Sequence, residues 1–155
     1  MFRLAHNMEI KKILKDAQEG DKIEVKGWVR TFRSNQFVAL NDGSTIENLQ
    51  LVVDFNKFDD ALLKRITTSA AIVASGVVAS SQGKGQRVEL KVDTLDVVGD
   101  SDPEKYLIQP KKHSLEFLRE NAHLRFRTNM FGAIFRIRHH LAIAIHKYFD
   151  QLGYF

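Results

Sequence analysis

The chain has 155 residues, 44% of them apolar, enough to bury one core of ordinary size together with an appended element. It contains no cysteine, which excludes disulfides and thiolate zinc sites and removes any sign of a secreted fold, so a cytoplasmic location is expected. The formal charge of +4 is uneven: residues 1–100 hold 14 Lys and Arg against 14 Asp and Glu, and residues 101–155 hold 9 against 5, so any nucleic-acid binding by the first part would rest on placed contacts, not on general polyelectrolyte attraction.

The opening residues 1–7 are too short and polar for a signal peptide, Met8 is an alternative start, and no apolar run approaches the roughly 18 residues of a membrane span. A short amphipathic helix is expected over Glu9–Ala17, followed by a long strand near Lys22–Arg33 in which Gly27 would supply a bulge or bend. Lys22, Lys26, Arg30 and Arg33 against Glu24 leave that strand and its end basic.

Two further strands follow. Val38 and Leu40 in one, and Leu49, Leu51 and Val53 in the next, seek the core, so period-2 alternation turns Phe37 and Gln50 outward. Asn41-Asp42-Gly43-Ser44 has turn composition, and a loop of about four residues from Asp42 to Thr45 would pair Asn41 with Ile46 and set Phe37 opposite Gln50. The register can slip only in steps of two, because a slip of one would send every apolar side chain to solvent. An exposed ring beside an exposed amide suits an unstacked base, the ring stacking and the amide reading the base edge; an ordinary half-exposed strand pair fits these two residues equally well.

Phe58, Leu62, Leu63 and Ile66 recur at helical spacing and predict one amphipathic helix over Lys57–Thr67. A fourth strand spans Ala70–Ser80, Gly83-Lys84-Gly85 makes a turn, and a fifth strand spans Val88–Val98 with Leu90, Val92 and Leu95 inward. Five strands with a helix between the third and fourth is the order of an OB-fold, a Greek-key barrel whose second and third strands face oligonucleotides. The expected class is therefore mainly β with appended helices.

Residues 101–113, with Pro103 and Pro110, read as a linker. Ser114 caps a short helix running to about Asn121, and Thr128 or Asn129 caps a helix of roughly 24 residues, about 36 Å long, ending near Gly153. Ile134, Ile137, Leu141, Ala144 and Tyr148 form one stripe of that helix, and Phe131, Phe135, Ile143, Ile145 and Phe149 widen it, which calls for a covering partner.

Other features take plainer readings. His139, His140 and His146 lack the one-face spacing and carboxylate support of a helical metal site, so no metal is expected. Gly83-Lys84-Gly85 lacks the rest of a phosphate-binding loop. Arg125 and Arg127 fit either a phosphate contact or a solvated basic segment, and Trp28 either a stacking platform or a core or barrel-rim position. No nucleophilic catalytic set is present.

Lys26-Gly27-Trp28-Val29-Arg30, Leu40-Asn41-Asp42-Gly43-Ser44 and Asn48-Leu49-Gln50 resemble the anticodon-binding domain of asparaginyl-tRNA synthetases. A second block, from Lys111 through Arg119, Ala122-His123-Leu124-Arg125 and Arg127-Thr128-Asn129, is similar to the hinge and the opening of the catalytic domain in that family. The stretch from Phe131 to Phe149 with Gly153-Tyr154-Phe155 resembles the start of class II motif 1, an element of the family's dimer interface. The resemblance implies an N-terminal part of such an enzyme: an anticodon-binding domain over 1–100, a hinge over 101–113 and a truncated start of the catalytic domain over 114–155. It implies a parent enzyme that uses ATP and magnesium to join asparagine to its tRNA and pairs as a homodimer through the motif 1 region, with neither cofactor bound by this part. By the same resemblance Phe37 would stack on the central anticodon uridine, Gln50 would hydrogen-bond to it, Arg33 would contact the base or nearby backbone, and Arg30 would lie close by. A free-standing OB module for single strands or protein partners, and the matching part of an aspartyl enzyme, are the alternatives.

Overall fold

The computed structural model describes residues 6–34, 36–81, 83 and 85–155; Lys84 of the expected glycine-flanked turn, and the opening residues 1–5, lie outside them. Its elements in order are β1 (His6–Asn7), α1 (Ile10–Asp16), β2 (Lys22–Arg33), β3 (Phe37–Asn41), β4 (Leu49–Val52), α2 (Asp60–Lys64), β5 (Ala71–Ser80), β6 (Val88–Gly99), α3 (Leu115–Glu120) and α4 (Asn129–Gln151). They fall into two units, one ending at Pro110 and the other spanning 111–155.

In the first unit β2, β3, β4, β6 and β5 pair in that order, and β2 pairs again with β5, so the sheet closes into the five-stranded barrel that the strand order predicts. Closure is what the alternation demands: Val25, Val38, Leu40, Leu49, Leu51, Ile72 and Leu90 are all buried and meet in one core. Each such side chain gains about 1.5–3 kcal/mol on leaving water. The two-residue β1 pairs in parallel with the start of β2.

Close strand approach explains two glycines. A methyl at Gly27 would stand 2.7 Å from the Asn41 carbonyl oxygen, and one at Gly76 would stand 1.9 Å from that of Lys91. Gly27 therefore permits contact instead of bending the strand. The expected bulge lies elsewhere: Val29 pairs with Leu40 and Thr31 with Ala39, leaving Arg30 as the extra residue of β2. A second irregularity in β6 falls at Asp93, since Val92 pairs with Gly76 and Thr94 with Ser75. It brings Leu95 and Val97 back inward after Val92.

The β3–β4 register differs from expectation by one allowed step. Phe37 pairs with Val52, and Gln50 pairs with Ala39. The connection is longer than the four residues expected because the Asn41 side chain organises it: its Nδ2 donates to the Thr45 carbonyl at 3.1 Å, the Glu47 carbonyl at 2.7 Å and Asn48 Oδ1 at 3.1 Å. The same loop reaches α1. Ile10 N–H donates to Asp42 Oδ2 at 2.8 Å and Lys11 N–H to Ser44 Oγ at 3.0 Å, so a distant loop caps a helix whose own N-cap, Glu9, makes no side-chain capping bond.

The single helix expected over Lys57–Thr67 is instead a 3-10 turn at Phe55–Lys57 and the five-residue α2. Phe58 is extended, at φ −122° and ψ 147°, and the Asp54 side chain accepts from Asn56 N–H, which starts the first turn separately. The apolar spacing still serves its purpose, because Phe58, Leu62, Leu63 and Ile66 all pack on the core. After α2, Arg65 Nε and Nη2 donate to the two Asp100 carboxylate oxygens at 2.7 and 3.0 Å, and Nη2 also reaches the Val97 carbonyl at 3.1 Å. These bonds hold the Arg65 guanidinium above, and the Asp100 carboxyl below, their ordinary titration ranges. Thr67 Oγ1 donates to the Ser101 carbonyl at 2.5 Å, so the chain leaving β6 is tied down at its first residues.

In the second unit Ser114 caps α3 by accepting from Phe117 N–H at 3.2 Å, and Thr128 caps α4 by accepting from Phe131 N–H at 3.4 Å. Gly153, at φ +81°, follows the end of α4. None of the 23 residues of α4 is buried, and Ile137 and Leu141 are 59% and 57% exposed. The Arg125 guanidinium lies 4.7 Å from the Phe131 ring centroid and that of Arg127 lies 5.8 Å from Phe126, so aromatic faces engage both expected cations. No described helix is long and apolar enough to cross a membrane.

Candidate nucleic-acid interface

Before the bulge the inward residues of β2 are Ile23, Val25 and Val29; after it Phe32 packs on the core, opposite Val38. One extra residue has reversed the parity. Had the alternation continued, Arg33 would point into the barrel. Instead it is exposed and directly opposite Phe37.

Two rows of outward residues cross the barrel at this point. In one, Arg33 pairs with Phe37, Phe37 with Val52, and Val52 with Lys91 on β6. In the next, Thr31 pairs with Ala39 and Ala39 with Gln50. Neighbours along a row stand about 5 Å apart, and adjacent rows lie within reach of long side chains. The face thus has a ring, an amide and a cation at each edge of the first row, with the small Ala39 and the half-buried Val52 leaving its middle low. A planar base can lie on Phe37 there while its edge meets an amide, and Arg33 and Lys91 can meet phosphate or carbonyl oxygens.

Gln50 is not an isolated amide. Its Nε2 donates to Glu89 Oε2 at 3.1 Å, and Ser81 Oγ donates to the same oxygen at 3.3 Å. Parallel pairing of Leu51 with Leu90 brings these two outward residues side by side.

The structure therefore brings Phe37, Gln50 and Arg33 onto one face, with Phe37 and Gln50 diagonal neighbours instead of the directly opposed pair expected. Arg30, as the bulge residue, stands outside both rows and is half-exposed. Trp28 pairs with Asn41 farther along and is 39% exposed, so it is a surface residue of the barrel, not a core one. Lys26, counted among the basic residues of β2, is paired with Glu24 at 3.2 Å. Lys91 and Glu89 are absent from the expected set, although inward-facing Leu90 and Val92 already imply that both turn outward. The parallel β4–β6 pairing that delivers them leaves no local mark. Among the described residues, no group of three or more His, Cys, Asp or Glu is placed to hold a metal ion.

Residues 23–98 match the family described as "OB-fold nucleic acid binding domain", which coincides with the barrel strands. The chain is 53% identical over 150 residues to an asparagine–tRNA ligase of Parabacteroides distasonis, covering 95% of this chain and 32% of that protein. It is 55% identical over 139 residues to one from Porphyromonas gingivalis, covering 88% and 30%. Among solved structures, asparaginyl-tRNA synthetase from Pyrococcus horikoshii complexed with asparaginyl-adenylate superimposes with a TM-score of 0.79 at 21% identity, over 97% of this chain and 35% of that one, a likeness of fold. The chain spans about a third of the length of the relatives it matches.

Proposed function

We propose, from its likeness to asparagine–tRNA ligases over almost its whole length, that the chain is the N-terminal part of such an enzyme and that its barrel reads the anticodon of the tRNA to which the enzyme joins asparagine. In this reading the parent enzyme works in the cytoplasm, activates asparagine with ATP and magnesium as an adenylate, and passes it to the terminal ribose. ATP and its magnesium are assigned to no residue of this chain. Residues 1–100 are the anticodon-binding domain, 101–113 the hinge and 114–155 the opening of the catalytic domain, whose long helix α4 pairs with a second copy.

Phe37 stacks on the central anticodon base, Gln50 hydrogen-bonds to its edge, and Arg33 contacts the base or the adjoining backbone. Arg30 acts beside them, and Lys91 adds a phosphate contact on the far edge. The single observation that carries this assignment is the bulge at Arg30, which turns Arg33 outward beside Phe37 and on the same face as Gln50.

The test is fluorescence anisotropy of labelled anticodon stem-loops at one stated salt, comparing central uridine with central cytidine. Clearly tighter binding of uridine is the expected result. Weak and equal binding, tracking ionic strength alone, would instead describe a backbone-binding OB module.

A further inference from the structure

Resting on the anticodon reading above, we infer that Glu89 is a positioning residue: its carboxylate fixes which way round the Gln50 amide faces, and so which pyrimidine this face accepts. A carboxylate only accepts hydrogen bonds, whereas a carboxamide presents an acceptor at one end and donors at the other. The end of Gln50 turned to Glu89 must therefore be the nitrogen, in agreement with the 3.1 Å contact from Nε2 to Oε2. The carboxylate is itself held. Ser81 Oγ donates to the same Oε2 at 3.3 Å and accepts from Gly83 N–H at 3.2 Å, so the β5–β6 hairpin braces the pair.

With Nε2 tethered, Oε1 and the second Nε2 hydrogen keep a fixed order across the face. Uracil shows an N3–H donor beside the O4 acceptor, and cytosine shows an N3 acceptor beside the N4–H donors. The two orders are reversed. An amide held one way complements one base and opposes the other at the same position, while an amide free to turn through about 180° suits either. Discrimination then belongs to the Glu89–Gln50 pair, not to Gln50 alone.

The experiment measures the uridine-to-cytidine preference of the chain for stem-loops differing only at the central base. Glu89→Gln is nearly isosteric but can accept or donate, so it should raise cytidine affinity relative to uridine and lower the preference about tenfold, the order of discrimination carried by a bidentate side-chain pair. Glu89→Asp keeps an acceptor-only group and should retain more of the preference than Glu89→Gln. In the double variant with Gln50→Ala, Glu89→Gln should have no further effect. An unchanged preference in Glu89→Gln, an equal change in affinity for both bases, or the reverse order of the Asp and Gln variants would overturn the inference. The two layers separate cleanly. If Gln50→Ala abolishes the preference and Glu89→Gln does not, only the role of Glu89 fails; if Gln50→Ala itself leaves the preference intact, base reading by Gln50 fails and the inference falls with it.

Discussion

Arg33 stands directly opposite Phe37 across the β2–β3 ladder, and the pair exists because Arg30 is an extra residue in β2. Cation and ring would otherwise lie on opposite sides of the sheet, with Phe32 exposed and Arg33 facing the buried Val38 and Leu40. A buried, unpaired guanidinium costs several kcal/mol, so the bulge serves the core and the outer face together.

Replacing Phe37 with alanine should weaken binding of an anticodon stem-loop by about 1–3 kcal/mol, the usual cost of losing a stacked base. Phe37 is 36% exposed at the start of its strand, so thermal stability should move much less than affinity. Anisotropy titration and a thermal melt on the same preparation separate the two, and unchanged affinity would remove Phe37 from the interface.

Asp42→Ala should destabilise the barrel by about 1 kcal/mol, the typical worth of a helix N-cap, because it strips Ile10 N–H of its acceptor and frees the Ser44 hydroxyl bound at 2.6 Å. Asp42→Asn, which keeps an acceptor, should lose less. Urea denaturation midpoints test this, and an Asp42→Ala midpoint equal to the parent's would mean that the loop does not support α1.

Acid should loosen the clasp between α2 and the end of β6. The Arg65 hydrogen bond holds the Asp100 carboxyl below its ordinary value of 3.8, with Coulomb attraction helping and desolvation opposing. A carboxyl lowered on folding contributes fully above its unfolded value and loses that contribution as pH falls through the folded one. Stability should therefore decline as pH drops below about 3.8, and Asp100→Asn should flatten that limb. Both side chains are substantially exposed, so the readout is the slope in low salt, and an Asp100→Asn profile parallel to the parent's would contradict the clasp.

The exposed apolar residues of α4 should make the chain self-associate. Ile137→Lys with Leu141→Lys, both on surface positions, should shift sedimentation toward a monomer without lowering the melting temperature of the barrel. If parent and double variant sediment alike, that surface is not what joins copies.

Much of this arrangement is legible in the residues themselves. Lys22–Arg33 is a strand with the bounds that its composition implies, and Ser114 and Thr128 sit where cap chemistry places them. Alternation also assigns Phe37 and Gln50 to the outside, because burial of Val38, Leu40, Leu49 and Leu51 leaves no other choice. What it misses depends on contacts far along the chain. Turn composition at Asn41–Ser44 does not reveal that the Asn41 amide spans to Asn48, so the loop is read short and the register shifts by two. Gly27 invites a bulge by residue type, yet its role depends on the nearby carbonyl of Asn41. Glu89 and Lys91 join the face only through pairing with a strand nearly forty residues earlier, as in the Gln50–Glu89 separation of 39.

Alternation and bulge together mean that the barrel treats substitutions and length changes very differently. Exchanging outward residues at 31, 33, 37, 50, 89 or 91 rewrites what the surface meets while the interior keeps its packing, so binding preference can drift or be redirected one side chain at a time. Removing a single residue between Val29 and Thr31 would turn the end of β2 inside out, with Arg33 driven into the core and Phe32 expelled. The recognition surface is open to point changes but closed to changes of reading length within its strands.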